Sequence, residues 1–318
     1  MKKKLVSLVL ALMLCLSCVS ALAAEAWTVT CPWAPSGVAA MVNQKAASLS
    51  TTYSQDYVLV ANAEKGDTAT INSWLTKYTE ADPQMCFIGE GMFGITAILD
   101  PERMNFTYDD FEYVENLYSS IFVASARKEL GLTSIDALKA YLEEGNQIMV
   151  GTNGATGSEA FLAAALIGAM GYGDQFYLIP YESAAEAAQA VARGEVDIAV
   201  SHQSQILETW QQGGVDVFAA FDGEPIAQGP FKGVEGVGQY GYPYFRNRCF
   251  IFAKAGADEQ KIADLKALYA QILTDEEMVD WLNNTMLLEA DMMTEEEVIA
   301  HIDNVKNIVE EYYDLVAE

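Results

Sequence analysis

Histidine is almost missing from this chain: its 318 residues include two, His202 and His301. The second lies in an acidic C-terminal stretch, so the two are not expected to share a site, and a histidine-based metal cluster or proton relay has no material. Basic side chains are also scarce, 18 against 45 acidic. That balance argues against nucleic acid and anionic lipid surfaces as partners, because both demand basic patches. Beyond residue 24 there are three cysteines, Cys31, Cys86 and Cys249. Three is an odd number and too few for a disulfide framework. The reading adopted is three buried thiols, with a Cys31–Cys86 disulfide as the alternative, because both close short apolar runs. Gly-x-Ser-x-Gly, His-Glu-x-x-His and, past residue 24, Cys-x-x-Cys are all lacking. No familiar catalytic or metal-binding apparatus is visible, and neither cofactor nor metal is expected.

What is present begins with Lys2, Lys3 and Lys4, an uncharged run from Leu5 to Ala24, and the small-residue triplet Ala21-Leu22-Ala23 ahead of Glu25. This is the order of a secretory signal peptide, assigned here to residues 1–24. A membrane anchor would need about 20 strongly apolar residues, and Ser and Cys interrupt the second half of this run. Cys18 follows Cys15-Leu16-Ser17, a poor context for a lipid anchor. Removing three lysines with the signal leaves 15 basic against 45 acidic side chains, a net charge of −30. No second membrane segment is expected, so the exported chain is read as periplasmic or cell-surface.

Periodicity predicts alternating strands and helices. Trp27–Cys31, Tyr57–Ala61 and Met85–Ile88 read as strands, separated by helices carrying Val38, Met41, Val42 and Leu49, then Ile71, Trp74, Leu75 and Tyr78. Ser36 or Gly37 is the expected cap of the first helix and Thr68 of the second. This order implies a parallel sheet covered on both faces. The pattern restarts with strands at 122–125, 147–150, 176–179, 196–200 and 215–219 and helices at 133–143, 159–170 and 184–193. Pro180-Tyr181-Glu182-Ser183 reads as a turn and Gly194 as a left-handed helix stop. Residues 222–246 read as a long aperiodic connection before a last strand, Cys249–Ala253. Capping boxes are expected at Thr274–Glu277 and Thr294–Glu297, and the final helix, apolar at Val298, Ile302, Val305, Val309 and Tyr312, is expected to pack back on the first lobe. The predicted architecture is two α/β lobes, residues 25–122 with a return at 247–318, and residues 123–246. Crossovers near 122 and 247 make a hinge with a ligand cleft.

Two strand-to-helix loops, 31–42 and 151–158, contain no charged side chain. The second has the spacing Gly-x-x-Gly-x-x-Gly-Ser, without the Lys of a phosphate loop or the Gly-x-Gly-x-x-Gly of a dinucleotide fold. Each is readable as an ordinary turn. One in each lobe, at the strand ends where open α/β sheets bind ligands, points instead to paired anion sites made from backbone N–H groups. His202 reads as a structural side chain at the hinge, with cleft lining beside Ser201 and Gln203 as the alternative. Glu90 reads as a solvated acid; facing the cleft, it would favour an amine or cation. Trp33 and Tyr181 are candidates for the pocket wall.

Several of these segments carry a resemblance. Pro32-Trp33-Ala34-Pro35-Ser36-Gly37 resembles the first ligand loop of the extracytoplasmic solute receptors of tripartite tricarboxylate transporters. Val58–Asn62 with Gly66 is similar to their second strand and turn, and Tyr108-Asp109-Asp110-Phe111 to their approach to the first crossover. Val150–Ser158 resembles the second ligand loop, Pro180-Tyr181 and Gly194-Glu195-Val196-Asp197 the elements after it, and Gly241-Tyr242-Pro243 the segment before the return strand. The likeness runs in order along the chain after residue 24. It departs in the first loop, where Ser36, Gly37 and Val38 stand at three family glycines, Ala40 at an Asp and Asn43-Gln44 at an Ala-Arg pair. Ser201-His202 likewise stands where family members often carry Asp-Asn.

The resemblance implies a type II periplasmic-binding-protein fold. It also implies a receptor, with no enzymatic activity, for a small carboxylate held by amides and hydroxyls, which hands its ligand to membrane subunits driven by an ion gradient. Carried over, it nominates Ser36, Gly37 and Val38 from the first lobe and Gly154, Ala155, Thr156 and Ser158 from the second, with Tyr181, Ser201 and Gln203 as secondary candidates. A monomer is expected. The rival readings are a receptor of the same fold serving an ABC transporter or sensor for an amino acid or neutral solute, an exported hydrolase using Ser158 or His202, and a structural or adhesive surface protein.

Overall fold

The computed structural model describes residues 24–316, and the expected signal peptide falls outside them but for Ala24. The first sheet gathers β1 (Glu25–Cys31), β2 (Tyr57–Ala63), β3 (Gln84–Gly89), β4 (Phe111–Ser120), β10 (Asn247–Lys254) and the short β11 (Glu289–Ala290) in the order β11-β4-β10-β3-β1-β2. The second gathers β5 (Phe122–Arg127), β6 (Ile148–Asn153), β7 (Phe176–Tyr181), β8 (Ile198–His202) and β9 (Val215–Ala220) in the order β7-β6-β8-β5-β9. The chain leaves the first sheet between Ser120 and Phe122 and re-enters it at Asn247. This is a two-lobed α/β architecture.

The sheets are mixed rather than parallel. β1 runs parallel to β2 and β3, and β6 parallel to β7 and β8. β10 is antiparallel to both β3 and β4, and β5 antiparallel to both β8 and β9. The crossing strands bring this about, since each enters a sheet from the other lobe and not through a local helical crossover. β4 is the strand that periodicity does not announce. Nearly all of it is buried, so alternation is lost, and it carries Glu115 and Asn116 inside. Most of their buried polar atoms find partners, Asn116 Oδ1 excepted. Glu115 Oε1 accepts from the Tyr113 hydroxyl at 3.2 Å and the Met293 N–H at 3.2 Å, and Asn116 Nδ2 donates to the Asp291 carbonyl at 2.6 Å.

The helices follow their apolar periodicity: α1 (Val38–Tyr53), α2 (Thr68–Lys77), α3 (Ile135–Glu143), α4 (Ser158–Ala169), α5 (Ala184–Ala192), α6 (Gln203–Gln211), α7 (Glu259–Leu273), α8 (Glu276–Asp280) and α9 (Glu295–Glu311). Gly194 stops α5 at φ +71° as a left-handed residue. Pro180 and Tyr181, expected in a turn, complete β7; a proline fits there because β7 is an edge strand. The cap of α2 is Asp67, with Thr68 its first residue. Among the described residues Cys31, Cys86 and Cys249 are free and buried. No described helix is long and apolar enough to cross a membrane.

α9 does more than return to the first lobe. Val298 and Ile302 pack with Ile71, Trp74 and Phe250, whereas Val305 and Val309 pack with Phe161, Leu166 and Phe245 of the second lobe. Seventeen residues at about 1.5 Å each are long enough to touch both. Its capping box at Thr294 and Glu297 is present. The one expected at Thr274 is not: the Thr274 hydroxyl donates to the carbonyls of Ala270 and Gln271, and Asp275 caps α8 by accepting from the Met278 N–H at 3.0 Å. Asp275→Ala is therefore expected to cost about 1 kcal/mol, as is Thr294→Ala, with Thr274→Ala well below both, measured by chemical denaturation. Equal costs at 274 and 275 would contradict the cap assignment.

Candidate functional site

A cavity of about 370 Å³ opens between the lobes. Its first wall is built from the turn after β1 (Pro32, Trp33), the start of α1 (Gly37, Val38, Ala39), the turn after β2 (Lys65, Asp67) and the end of β3 (Gly89, Glu90). The opposite wall comes from the loop between β6 and α4, residues 153–159, with Tyr181 and His202. Tyr118, Phe122 and Asn247, from the strands that carry the chain across, close the back. A space of this size suits a small metabolite.

The N-termini of the helices distinguish this cavity from the rest of the surface. Among described α-helices of five residues or more, α1, α2, α4 and α6 have no side-chain cap. Their cap residues, Gly37, Asp67, Gly157 and His202, all lie on the cavity wall. The helices α3, α5, α7, α8 and α9 are capped by Ser134, Ser183, Asp258, Asp275 and Thr294, and of these caps Ser183 alone also lies on the cavity wall. The first N–H groups of a helix have no partner inside it, and together they behave as roughly half a positive charge. Two uncapped helices of one lobe and two of the other thus converge on one space.

Of the residues nominated from sequence, Gly37, Val38, Gly154, Ala155, Thr156, Ser158 and Tyr181 line the cavity, as do Trp33, Glu90 and His202. Ser36 does not; it is exposed on the outer side of its turn. Ser201 and Gln203 are buried off the wall. Side chains alternate along β8, so the face that brings His202 to the cavity turns Ser201 away, and Gln205, two residues beyond Gln203, is the α6 side chain that reaches it. Sequence reasoning missed Glu159, Asn247, Gln205, Asp67 and Arg103. Glu159 had the plainest signal, an acid directly after Ser158 in the second ligand loop.

Glu90 is fully buried, not solvated. Its Oε1 accepts from Ser158 Oγ at 3.0 Å and Asn247 Nδ2 at 2.9 Å, and its Oε2 from the Arg248 N–H at 2.8 Å. One carboxylate thus joins the first lobe, the second lobe and the returning strand. Burial pushes its carboxyl up to about 7 against the pull of those donors. Glu159 is likewise pushed up to about 7, first by burial, with its own backbone N–H opposing and the charge of Glu90 adding to the rise. Burial also raises Asp67, opposed by the Arg103 guanidinium. The cations stand at the mouth and are already engaged. Arg103 Nη1 donates to Thr156 Oγ1 at 2.9 Å and Nη2 lies 3.5 Å from Asp67, while Lys65 Nζ lies 2.7 Å from Glu182. Both reach across from one lobe to the other.

His202 Nδ1 is 2.7 Å from Ser120 Oγ, its ring packs 4.6 Å from that of Phe122, and burial lowers it to about 3. A ring held neutral so firmly is a poor base near neutrality. Ser158, the other hydrolase suspect, gives its hydroxyl to Glu90 instead.

No family model and no curated protein matches the sequence. Solved structures do. MatC from Rhodopseudomonas palustris with bound malate superposes with a TM-score of 0.75 at 17% identity, over 92% of this chain and 98% of that one. A second R. palustris protein, with adipate, gives 0.80 at 15%, over 91% and 96%. A TctC solute binding protein from Polaromonas gives 0.70 at 15%, over 90% and 98%. The fold is that of the periplasmic binding proteins.

Proposed function

We propose that the chain is an extracytoplasmic solute receptor that captures a small organic acid between its lobes and delivers it to the membrane subunits of an ion-gradient-driven tripartite transporter. The observation that carries this reading is the convergence of the uncapped N-termini of α1, α2, α4 and α6 on one interlobe cavity. On a chain so rich in negative charge, the long-range field repels an anion, and aligned local dipoles are what can hold it. Malate and adipate in the two R. palustris structures support the ligand class. The loop motifs at 32–37 and 150–158 support the transporter, and the apolar run after Lys4 supports export. Two segments crossing between sheets supply a hinge for closure. The reading is of a monomeric binder, not an enzyme: His202, which burial lowers to about 3, is a poor base, and the Ser158 hydroxyl serves to tie the second lobe to Glu90 of the first.

A thermal-shift screen against carboxylates, amino acids and neutral solutes tests this. A solute at 100 times its dissociation constant stabilises the native state by about 2.7 kcal/mol. The expected hits carry a carboxylate, and Ala155→Trp, which fills the cavity from its wall, removes their shift. Hits confined to solutes without a carboxylate would overturn the reading.

A further inference from the structure

Donors converge on this cavity from the helix ends, yet several of its buried side chains present acceptors. Glu90 and Glu159 are both more than nine-tenths buried, and among the described residues neither takes part in an ion pair. Asn247, 7% exposed, donates through Nδ2 to Glu90, which leaves its Oδ1 buried without a partner. Gln205 Oε1 on the same wall is also buried and unpartnered. Unpaired buried acceptors cost free energy that only a donor can recover, and two buried carboxylates without a counter-charge cost more. A plain dicarboxylate would bring a further negative charge to this lining and no donor. A hydroxyl would satisfy an amide oxygen but leave both carboxylates uncompensated. An ammonium does both, since it offers three N–H donors and a positive charge.

Resting on the receptor reading above, we propose that the solute is a zwitterion, an organic acid bearing a protonated amino group. Its carboxylate faces the uncapped helix ends, and its ammonium sits among Glu90, Glu159, Asn247 Oδ1 and Gln205 Oε1. The division of labour explains why acids line a pocket built from anion-attracting helix termini. The cations at the mouth do not serve in their place, because Lys65 is paired with Glu182 and Arg103 with Asp67 and Asp100.

The test is calorimetric titration of the purified protein with matched pairs: L-aspartate against succinate, L-glutamate against glutarate, L-alanine against propionate, with malate and lactate as hydroxy counterparts. For the pair whose size fits, the amino acid is expected to bind at least about tenfold tighter than its unsubstituted and hydroxy analogues. Glu159→Gln is expected to erase most of that preference, by weakening the amino acid and tightening its unsubstituted analogue, with near-ultraviolet circular dichroism confirming the fold. Glu90→Gln, equally isosteric, provides a second variant. An unsubstituted or hydroxy acid that binds as tightly as its amino partner overturns the zwitterion and leaves the receptor reading standing. An amino preference that survives both variants overturns the assignment of these side chains. Binding by no acid of either kind overturns the receptor reading itself.

Discussion

Glu159→Gln is expected to make the ligand-free protein more stable, by up to about 3 kcal/mol at pH 8, with the gain shrinking towards zero near pH 4.5. In the folded chain the Glu159 carboxyl is raised from 4.5 to about 7, chiefly by burial. Below the unfolded value both states hold the proton, and the side chain is neutral on either side of the transition. Between 4.5 and about 7 the unfolded chain has released its proton while the folded one keeps it, so stability falls as pH rises, and above that window the whole penalty is present. Glutamine has the same shape and no charge to bury. His202, pushed down to about 3, acts in the opposite sense in acid. It acts equally in wild type and variant, so the difference at each pH isolates Glu159 together with its coupling to Glu90. Denaturant midpoints of both proteins from pH 5 to 8 make the measurement; a difference that does not grow with pH would mean that the carboxyl is solvated. A variant that is steadier when empty yet poorer at holding an amino acid would identify Glu159 as a binding residue maintained at a cost in stability.

Gly236→Ala is expected to lose about 3 kcal/mol or more and several degrees of melting temperature. A Cβ at this position would lie 2.6 Å from the carbonyl oxygens of both Asp222 and Glu224 and 2.8 Å from the Glu224 carbonyl carbon. These are main-chain atoms and cannot rotate aside. The backbone of Gly236 is in an ordinary extended conformation, so close approach and not φ demands glycine here. Around it the Ala220 N–H donates to the Glu235 carbonyl at 2.8 Å and the Gly238 N–H to the Asp222 carbonyl at 3.1 Å. The returning segment is thereby pinned to the end of β9. Gly233→Ala, at an open position in a left-handed conformation, is expected to cost about 1 kcal/mol or less. Equal losses at the two positions would mean that the segment shifts to relieve the clash.

That segment shows where local sequence stops being informative. Residues 222–246 have neither the two-residue nor the 3.6-residue period, and their order comes from contacts with β9 that no window of sequence contains. β4 escaped notice for a related reason: a strand buried on both faces loses its alternation, and its inner Glu115 and Asn116 are tolerable because Asp291 and Met293, distant in sequence, meet them beside the neighbouring Tyr113. Direction in the sheets was hidden because β5 and β10 arrive from the other lobe. The uncharged turns at 31–42 and 151–158 were legible because a helix start without a side-chain cap is a local feature, written as Gly37 before Val38 and Gly157 before Ser158. The acids were harder. Glu90 reads like any solvated acid until Ser158, Asn247 and the Arg248 N–H, each distant in sequence, are seen around it. Ser201 and His202 differ by one position in β8, and only the register opposite Val123 and Phe122 decides which of them meets the cavity.

A crystal structure of the protein with whichever solute gives the largest thermal shift would show how the ligand sits. The solute is expected in the interlobe cavity, its carboxylate oxygens within hydrogen-bond distance of main-chain N–H groups at the starts of α1 or α4, and an amino nitrogen beside Glu90 or Glu159. A solute bound outside that cavity, or one inside it with its carboxylate turned away from every helix N-terminus, would contradict that expectation.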